Sequence, residues 1–157
     1  MNWRRIHLCT GILTRGERIL LVASRYPNQR QALWNLPGGR QEPPETVEAA
    51  VIREFAEETA LAVQVNRLAY VAESFDRATA TQFTNFAFTV ESPGEPRLPP
   101  GDAHAVACEW VHRGELARRL AVAVVREPLL AYLADPNRQY FGYADAGISI
   151  EFADGPG

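Results

Sequence analysis

The feature that most constrains the fold is one helix-patterned segment set among short β-prone runs. The segment extends from about Pro43-Pro44 to Thr59, with apolar residues at helical spacing. Proline is tolerated in the first turn of a helix, and Glu45 and Glu48 suit the positive end of the helix dipole. One such helix between β-prone runs predicts an α+β fold with a mixed β-sheet.

The β-prone runs are divided by turn and loop residues. Residues 6–14 and 18–24 are separated by a short loop that contains Gly16, and they predict a hairpin. Four prolines and two glycines make residues 92–102 an irregular loop. Strands are also expected at 61–74 and at 82–91, where Phe86, Phe88 and Val90 share one face. Two further strands are expected, one around Val106, Cys108 and Trp110 and one at Ile148, Ile150 and Phe152. Helices are expected at 115–121 and 128–134.

Length and charge narrow the functional classes. The 157 residues suit a single domain over 1–157, with a disordered tail from about residue 153. A formal charge of −3 indicates neither duplex nucleic acid nor an anionic membrane as a partner. Cys9 and Cys108 lie far apart and do not predict a zinc site. No apolar run reaches the roughly 20 residues that span a bilayer, so we expect a soluble, cytoplasmic protein.

Three carboxylates are expected on one side of the predicted helix. At about 100° per residue, Glu54, Glu57 and Glu58 fall within an arc of roughly 100°. Such neighbours repel one another, and a hard divalent cation with oxygen ligands would relieve the repulsion. The alternative is a solvated acidic face. The residues expected to point the other way, toward the sheet, are Ile52, Phe55, Ala56 and Thr59.

The segment GRQEPPETVEAAVIREFAEETAL resembles the Nudix box, G-x5-E-x7-R-E-U-x-E-E-x-G-U, in which U is an apolar aliphatic residue. The positions in register are Gly39, Glu45, Arg53, Glu54, Glu57, Glu58 and Leu61. A chance match at the glycine and the five charged positions has odds on the order of 1 in 10^5. Phe55 replaces the usual aliphatic residue. Ala60 replaces the usual glycine at a corner where positive φ is expected.

The resemblance implies an α/β/α sandwich around a mixed sheet. It also implies hydrolysis of the diphosphate linkage of a nucleoside diphosphate joined to another group, with release of a nucleoside monophosphate. Mg2+ or Mn2+ is the implied cofactor. The implied metal ligands are Glu54, Glu57, Glu58 and the Gly38 carbonyl. Arg53 is implied to orient the glutamates and, with Glu54 and Glu57, to form the catalytic set. Gly39 and Glu45 are implied to support the helix.

Several assignments stay open at this point. The general base is a helix glutamate or one of the loop residues Asp102 and His104. Arg25 resembles an arginine that contacts substrate phosphate in some relatives, and it reads equally well as a surface arginine. The short chain is more like the small nucleoside triphosphate hydrolases of the family. A Nudix-like nucleotide-binding module without catalysis and an isomerase of the same fold are the alternatives, and the oligomeric state is not indicated.

Overall fold

The computed structural model describes residues 2–25, 27, 30–101 and 104–144. The predictions for Asp102, for Ile148, Ile150 and Phe152, and for the tail from 153 concern residues outside these ranges. The strands are β1 (Arg4–Arg15), β2 (Arg18–Ser24), β3 (Leu33–Asn35), β4 (Gly38–Arg40), β5 (Gln64–Asp76), β6 (Thr81–Glu91), β7 (Ala105–His112) and β8 (Tyr140–Tyr143). The helices are α1 (Val47–Thr59), α2 (Leu116–Arg119), which follows a 3-10 turn at Arg113–Glu115, and α3 (Ala123–Ala134).

The sheet is mixed, as the sequence predicts. Its strands follow the order β3-β2-β1-β6-β5-β8, with β4 paired to β1 and β7 paired to β2. β1 runs parallel to β6, and β5 runs parallel to β8, whereas the other described pairs are antiparallel. The predicted first hairpin is confirmed, with Thr14 opposite Ile19 across the turn.

Helices cover both faces of the sheet, which confirms the α/β/α arrangement. Cys9 of β1 and Phe88 of β6 pack with Phe55 of α1 in one buried cluster. Ile12 of β1 and Tyr70 of β5 pack with Leu129 of α3 in a second cluster. Because neighbouring residues of β1 contribute to different clusters, this strand separates the two layers. Phe86, Phe88 and Val90 belong to the first cluster, as their alternation predicts.

Phe55 is accommodated because a glycine lies opposite its ring. The Phe55 side chain is fully buried. A Cβ atom on Gly11 of β1 would lie 2.4 Å from Phe55 Cε2. The larger residue at this box position is therefore matched by the absence of a side chain on the strand below it.

The predicted start of α1 is wrong. The helix begins at Val47, not near Pro43-Pro44, and Thr46 is its N-cap. The Thr46 hydroxyl accepts a hydrogen bond from the Ala49 N–H at 3.1 Å, which satisfies one of the free donors of the first turn. The two prolines instead belong to a turn in which the Glu45 N–H donates to the Glu42 carbonyl.

The C-terminal elements also differ from the prediction. α3 begins at Ala123, five residues before Pro128, which lies inside the helix. The expected helix at 115–121 is reduced to the 3-10 turn and α2. β8 was not expected: it adds a parallel strand next to β5, with Phe141 opposite Ala72. Its sequence, YFGY, does not alternate apolar and polar residues and so gives no strand signal.

Candidate active site on α1

At the candidate site, β4 and α1 lie close together. A Cβ atom on Gly39 would lie 2.5 Å from Glu54 Oε1, so only glycine leaves room for this carboxylate. A Cβ atom on Gly38 would lie 2.2 Å from the Cys9 carbonyl oxygen, because β4 pairs tightly with β1. The two glycines therefore allow the Glu54 carboxylate to approach the strand.

Arg53 is the centre of the hydrogen-bond network. Its Nε and Nη2 bind both carboxylate oxygens of Glu45, at 3.0 and 2.8 Å. Its Nη1 donates to Glu54 Oε1 at 2.9 Å and to Glu57 Oε2 at 3.2 Å. Nη2 also donates to the Arg40 carbonyl at 3.0 Å. One guanidinium thus joins the turn before α1, the strand β4 and two of the three glutamates.

Glu45 supports the start of α1 from outside the helix. Its Oε1 accepts from the Glu42 N–H at 2.9 Å, and its backbone carbonyl accepts from the Gln41 side chain at 2.9 Å. The paired Arg53 guanidinium holds the pKa of Glu45 below its usual range. Glu45 is therefore a charged clamp on the 41–45 turn rather than a residue of the first helical turn.

The third glutamate takes a different position from the other two. Glu58 is buried, and its Oε1 accepts from the Gly38 N–H at 2.7 Å. The structure therefore brings two of the expected metal ligands into direct contact, Glu58 by its carboxylate and Gly38 by its backbone amide. Sequence reasoning anticipated the Gly38 carbonyl and did not anticipate this amide contact.

The expected division of α1 into a carboxylate face and a sheet face is confirmed for Phe55 and Thr59, which are buried, and is wrong for Ile52 and Ala56. Ile52 is 42% exposed, and Ala56 is exposed as well. Glu58 is buried as well, and the side chain of Glu54 is only 15% exposed. Glu54 and Glu58 approach β4 because Gly39 has no Cβ to displace the Glu54 carboxylate and because the Gly38 N–H binds Glu58.

Burial changes the acid strength of Glu54. Burial raises the pKa of Glu54 to about 7, opposed by the charge and hydrogen bond of Arg53, while Glu57 and Glu42 repel its charged form. By contrast, the side chain of Glu57 is 54% exposed. Strongly shifted carboxyl groups in a glycine-lined corner are typical of functional sites.

The remaining site candidates lie at the ends of β2 and β7. Arg25 follows β2 and is exposed, and its backbone N–H donates to the His104 carbonyl at 3.0 Å. The structure thus brings Arg25 and His104 together, next to a register shift between Ala23 and Ser24. Their roles stay predictions.

The donor set on α1 suits a divalent cation, although the described residues do not hold it as a ready-made cluster. In that part of the chain no three His, Cys, Asp or Glu side chains are gathered to hold a metal ion. Arg53 binds Glu54 and Glu57, and the Gly38 amide binds Glu58. The available atoms are carboxylate oxygens, which Mg2+ and Mn2+ prefer.

A cavity opens on the opposite face of the sheet, next to the same corner. Its volume is about 70 Å³. Its polar walls come from Thr10 of β1, Asn35 of β3, Ser74 of β5, Asn85 of β6 and Tyr143 of β8. Phe83 and the start of α3 form apolar walls. No residue lining it is charged at neutral pH, since burial, and to a lesser extent Glu127, raises the pKa of Tyr143. Sequence reasoning did not find this cavity.

None of the helices within the described residues combines the length and apolar character needed to cross a membrane.

Comparison with known proteins identifies the family. The model of the NUDIX domain matches residues 5–133. Phosphatase NudJ of Escherichia coli K12 is 30% identical over 125 residues, which are 80% of this chain and 78% of NudJ. The MutT Nudix hydrolase of Burkholderia pseudomallei is 29% identical, with a TM-score of 0.69, over 82% of this chain and 97% of its own. A Nudix hydrolase of Nitrosomonas europaea, at 20% identity, supports the fold, with a TM-score of 0.73 over 87% and 93% of the two chains.

The matched region runs from β1 through α3 and includes the helix on which Arg53 gathers its glutamates. This chain therefore belongs to the Nudix family of hydrolases.

Proposed function

We propose that this protein hydrolyses the diphosphate linkage of a nucleoside diphosphate joined to another group, such as a nucleoside triphosphate, and releases a nucleoside monophosphate. The observation that carries the proposal is the binding of Glu45, Glu54 and Glu57 by the single Arg53 guanidinium. A purely structural acidic helix would not need one arginine to arrange three carboxylates around a glycine corner.

Mg2+ or Mn2+ is the proposed cofactor. Glu54, Glu57, Glu58 and the Gly38 carbonyl would hold it. When bound, a divalent cation neutralises phosphate oxygens and lowers the pKa of a coordinated water molecule. The fit rests on the oxygen donors that these residues carry on and beside α1.

The chain's own residues would position these donors and move the proton. Arg53 holds Glu54 and Glu57 through one nitrogen, so that both carboxylates stay on the same side of α1. A glutamate of α1 is proposed to accept the proton of the attacking water. Asp102 and His104 are the competing proposals for the general base. Arg25 is proposed to bind a phosphate group.

The test compares the parent with Glu57→Gln on a panel of nucleoside triphosphates, ADP-ribose and nucleotide sugars. We expect Mg2+-dependent release of nucleoside monophosphate, abolished by EDTA. Turnover of Glu57→Gln should fall at least about 100-fold, because a lost metal ligand or base removes several kcal/mol of transition-state stabilisation. The matched control is Glu48→Gln, which changes an exposed glutamate of the same helix outside the network.

Three outcomes would contradict the proposal. Full turnover in excess EDTA would exclude a role for the cation. Nucleotide binding without release of monophosphate from any compound would instead favour a binding module. Products limited to orthophosphate and nucleoside diphosphate would contradict the proposed site of cleavage.

A further inference from the structure

Gln41 fastens the turn before α1 to the sheet. It follows directly after β4, and its backbone N–H donates to the His7 carbonyl of β1 at 2.9 Å. This bond continues the antiparallel pairing of β4 with β1 one residue past the pair of Arg40 and Leu8. The side chain adds a second contact to the same residue, because Gln41 Oε1 lies 3.2 Å from His7 Nδ1. Gln41 is therefore held by β1 through both its backbone and its side chain, although it occupies an x position of the Nudix box, to which the pattern assigns no role.

The other end of the same side chain holds Glu45. Gln41 Nε2 donates to the Glu45 carbonyl at 2.9 Å. A primary amide carries an acceptor and donors on one planar group, so it can face the His7 ring and the Glu45 backbone at once. The turn closes around Glu45 as well, since the Glu45 N–H donates to the Glu42 carbonyl at 3.1 Å. Gln41 thus sets where Glu45 lies relative to β1.

The place of Glu45 decides which partners Arg53 has. Glu45 accepts from the Nε and Nη2 of Arg53. The guanidinium is planar and rigid, so this pair also fixes the direction of Nη1, which binds Glu54 and Glu57. If Arg53 lost Glu45, its released donors would be free to pair with the Glu54 and Glu57 carboxylates. Arg53 would then compete with a cation for their oxygens.

We propose that Gln41 is a positioning residue for the cation site, which acts through Glu45 and Arg53 and does not itself contact the cation. The proposal rests on the proposed function, which gives the glutamates of α1 the role of metal ligands. By holding Glu45 against β1, Gln41 keeps the Nε and Nη2 of Arg53 occupied. The carboxylate oxygens of Glu54 and Glu57 thereby stay available to the cation.

The test measures Mn2+ binding by the purified protein without nucleotide, from the electron paramagnetic resonance signal of free Mn2+. Gln41→Met keeps the length and neutrality of the side chain and removes both amide contacts. We expect its Kd for Mn2+ to rise several-fold, less than the ~10–100-fold typical of residues that bond a metal ligand directly. Gln64→Met, at an exposed glutamine of β5, is the matched control and should bind Mn2+ as the parent does.

A second readout follows Arg53 without metal or nucleotide. In EDTA, the Nε–H proton of Arg53, observed by NMR, should exchange with solvent faster in Gln41→Met than in the parent, because Glu45 no longer holds it as firmly. The signal is assigned by its absence from Arg53→Lys. A role limited to the stability of the fold would lower the melting temperature and leave both the Mn2+ Kd and this exchange rate of the folded protein unchanged.

Gln41→Glu decides the question if Gln41→Met does not fold. It keeps the shape of the side chain and an acceptor toward His7, and it loses the donor to Glu45. Its added charge would by itself attract a cation, so weaker Mn2+ binding by this variant supports the proposal. Mn2+ binding and Arg53 exchange equal to those of the parent, in a folded Gln41 variant, would overturn this proposal alone. A parent that binds no Mn2+ would overturn the proposed cofactor and this proposal with it.

Discussion

At the scale of single residues, Glu54 and Glu57 share a nitrogen of Arg53 but differ in environment. Glu54 is mostly buried and Glu57 is mostly exposed. A charge on Glu54 is therefore costly when no cation is present, whereas the Arg53–Glu57 pair is a solvent-screened i,i+4 contact that contributes about 0–1 kcal/mol. We therefore expect that replacing Glu54 by a neutral residue, rather than replacing Glu57, stabilises the metal-free protein.

Glu54→Gln should stabilise the metal-free protein progressively as pH rises. The folded pKa of Glu54 is about 7, above its ordinary value of 4.5. Stability from the protonated carboxyl is complete below about pH 4.5 and is lost as pH rises through 7, because the folded state holds the proton more tightly. Glutamine does not titrate. The free energy of unfolding of the variant, measured with urea in EDTA, should rise relative to that of the parent between pH 5 and 8.

Glu57→Gln is the control for this experiment. Its exposed side chain predicts a change within about 1 kcal/mol and no comparable gain across the same pH range. Parallel curves for parent and Glu54→Gln would contradict the burial argument.

The sequence predicted the charged residues of the candidate site better than its neutral ones. The match to the Nudix box identifies Arg53, Glu45, Glu54 and Glu57, and the structure joins them in one network. The cavity residues Asn35 and Asn85 were not identified. They come from strands far apart in sequence, and an isolated asparagine has no periodic or spacing signal. Only the pairing of β1 with β6 brings Asn85 next to Thr10.

At the scale of secondary-structure elements, the C-terminal end of α1 carries strain that the sequence anticipated. Ala60 is the C-cap, with φ 59° and ψ 19°, and its N–H donates to the Ala56 carbonyl. This left-handed conformation costs a residue with a Cβ about 1–2 kcal/mol, which glycine avoids. The expectation of positive φ at this position is confirmed.

Ala60→Gly should therefore stabilise the protein by about 1 kcal/mol, since relief of strain exceeds the added flexibility of the unfolded chain. Ala56→Gly, at an exposed position inside the same helix, should instead destabilise it by about 1 kcal/mol. Urea unfolding of the two variants measures both effects. If both variants changed the free energy of unfolding in the same direction, the left-handed conformation of residue 60 would not be a source of strain.

The boundaries of elements were less predictable than their existence. The start of α1 was misplaced because Pro43-Pro44 fits a first turn as well as the preceding loop, and the Thr46 cap decided between them. β8 was missed because a four-residue strand depends on its neighbour, here β5. Phe141 nonetheless belongs to the core, with its ring centroid 5.6 Å from that of Tyr70.

Phe141→Ala should destabilise the protein by about 3–5 kcal/mol, the usual cost of removing a buried phenylalanine. Tyr140→Ala is the matched control on the same strand. Tyr140 is 59% exposed and bonds Glu73 at the surface, so its loss should cost less than about 1 kcal/mol. Denaturant unfolding at one pH compares them. A small effect of Phe141→Ala would mean that β8 does not unfold together with the rest of the domain. β8 lies beyond residues 5–133, the region that the family model matches.

At the scale of the whole molecule, the two faces of the sheet differ in the polar groups that they present. The face under α1 presents carboxylates, and the face under α3 presents neutral amides around a cavity. Both meet at the corner from Asn35 to Gly39, where glycines let β4 lie against β1. The sequence predicted the first face from one contiguous motif. The second face required the full sheet order, which no local pattern contains.

The proposed cation site predicts that Mg2+ raises the melting temperature of the protein by binding on the α1 face alone. A ligand that binds only the folded state at 100 times its Kd adds about 2.7 kcal/mol, or roughly 5–10 °C for a chain of this size. Glu54→Gln and Glu57→Gln should each reduce this shift, whereas Glu95→Gln, at a surface ion pair with Arg15, should retain it. Calorimetric melts in Mg2+, in EDTA and in NaCl of equal ionic strength separate specific binding from screening. An equal Mg2+ shift in all four proteins would place the cation elsewhere on the molecule. A loss confined to the two α1 variants would show that the residues gathered by Arg53 are the ones that hold it.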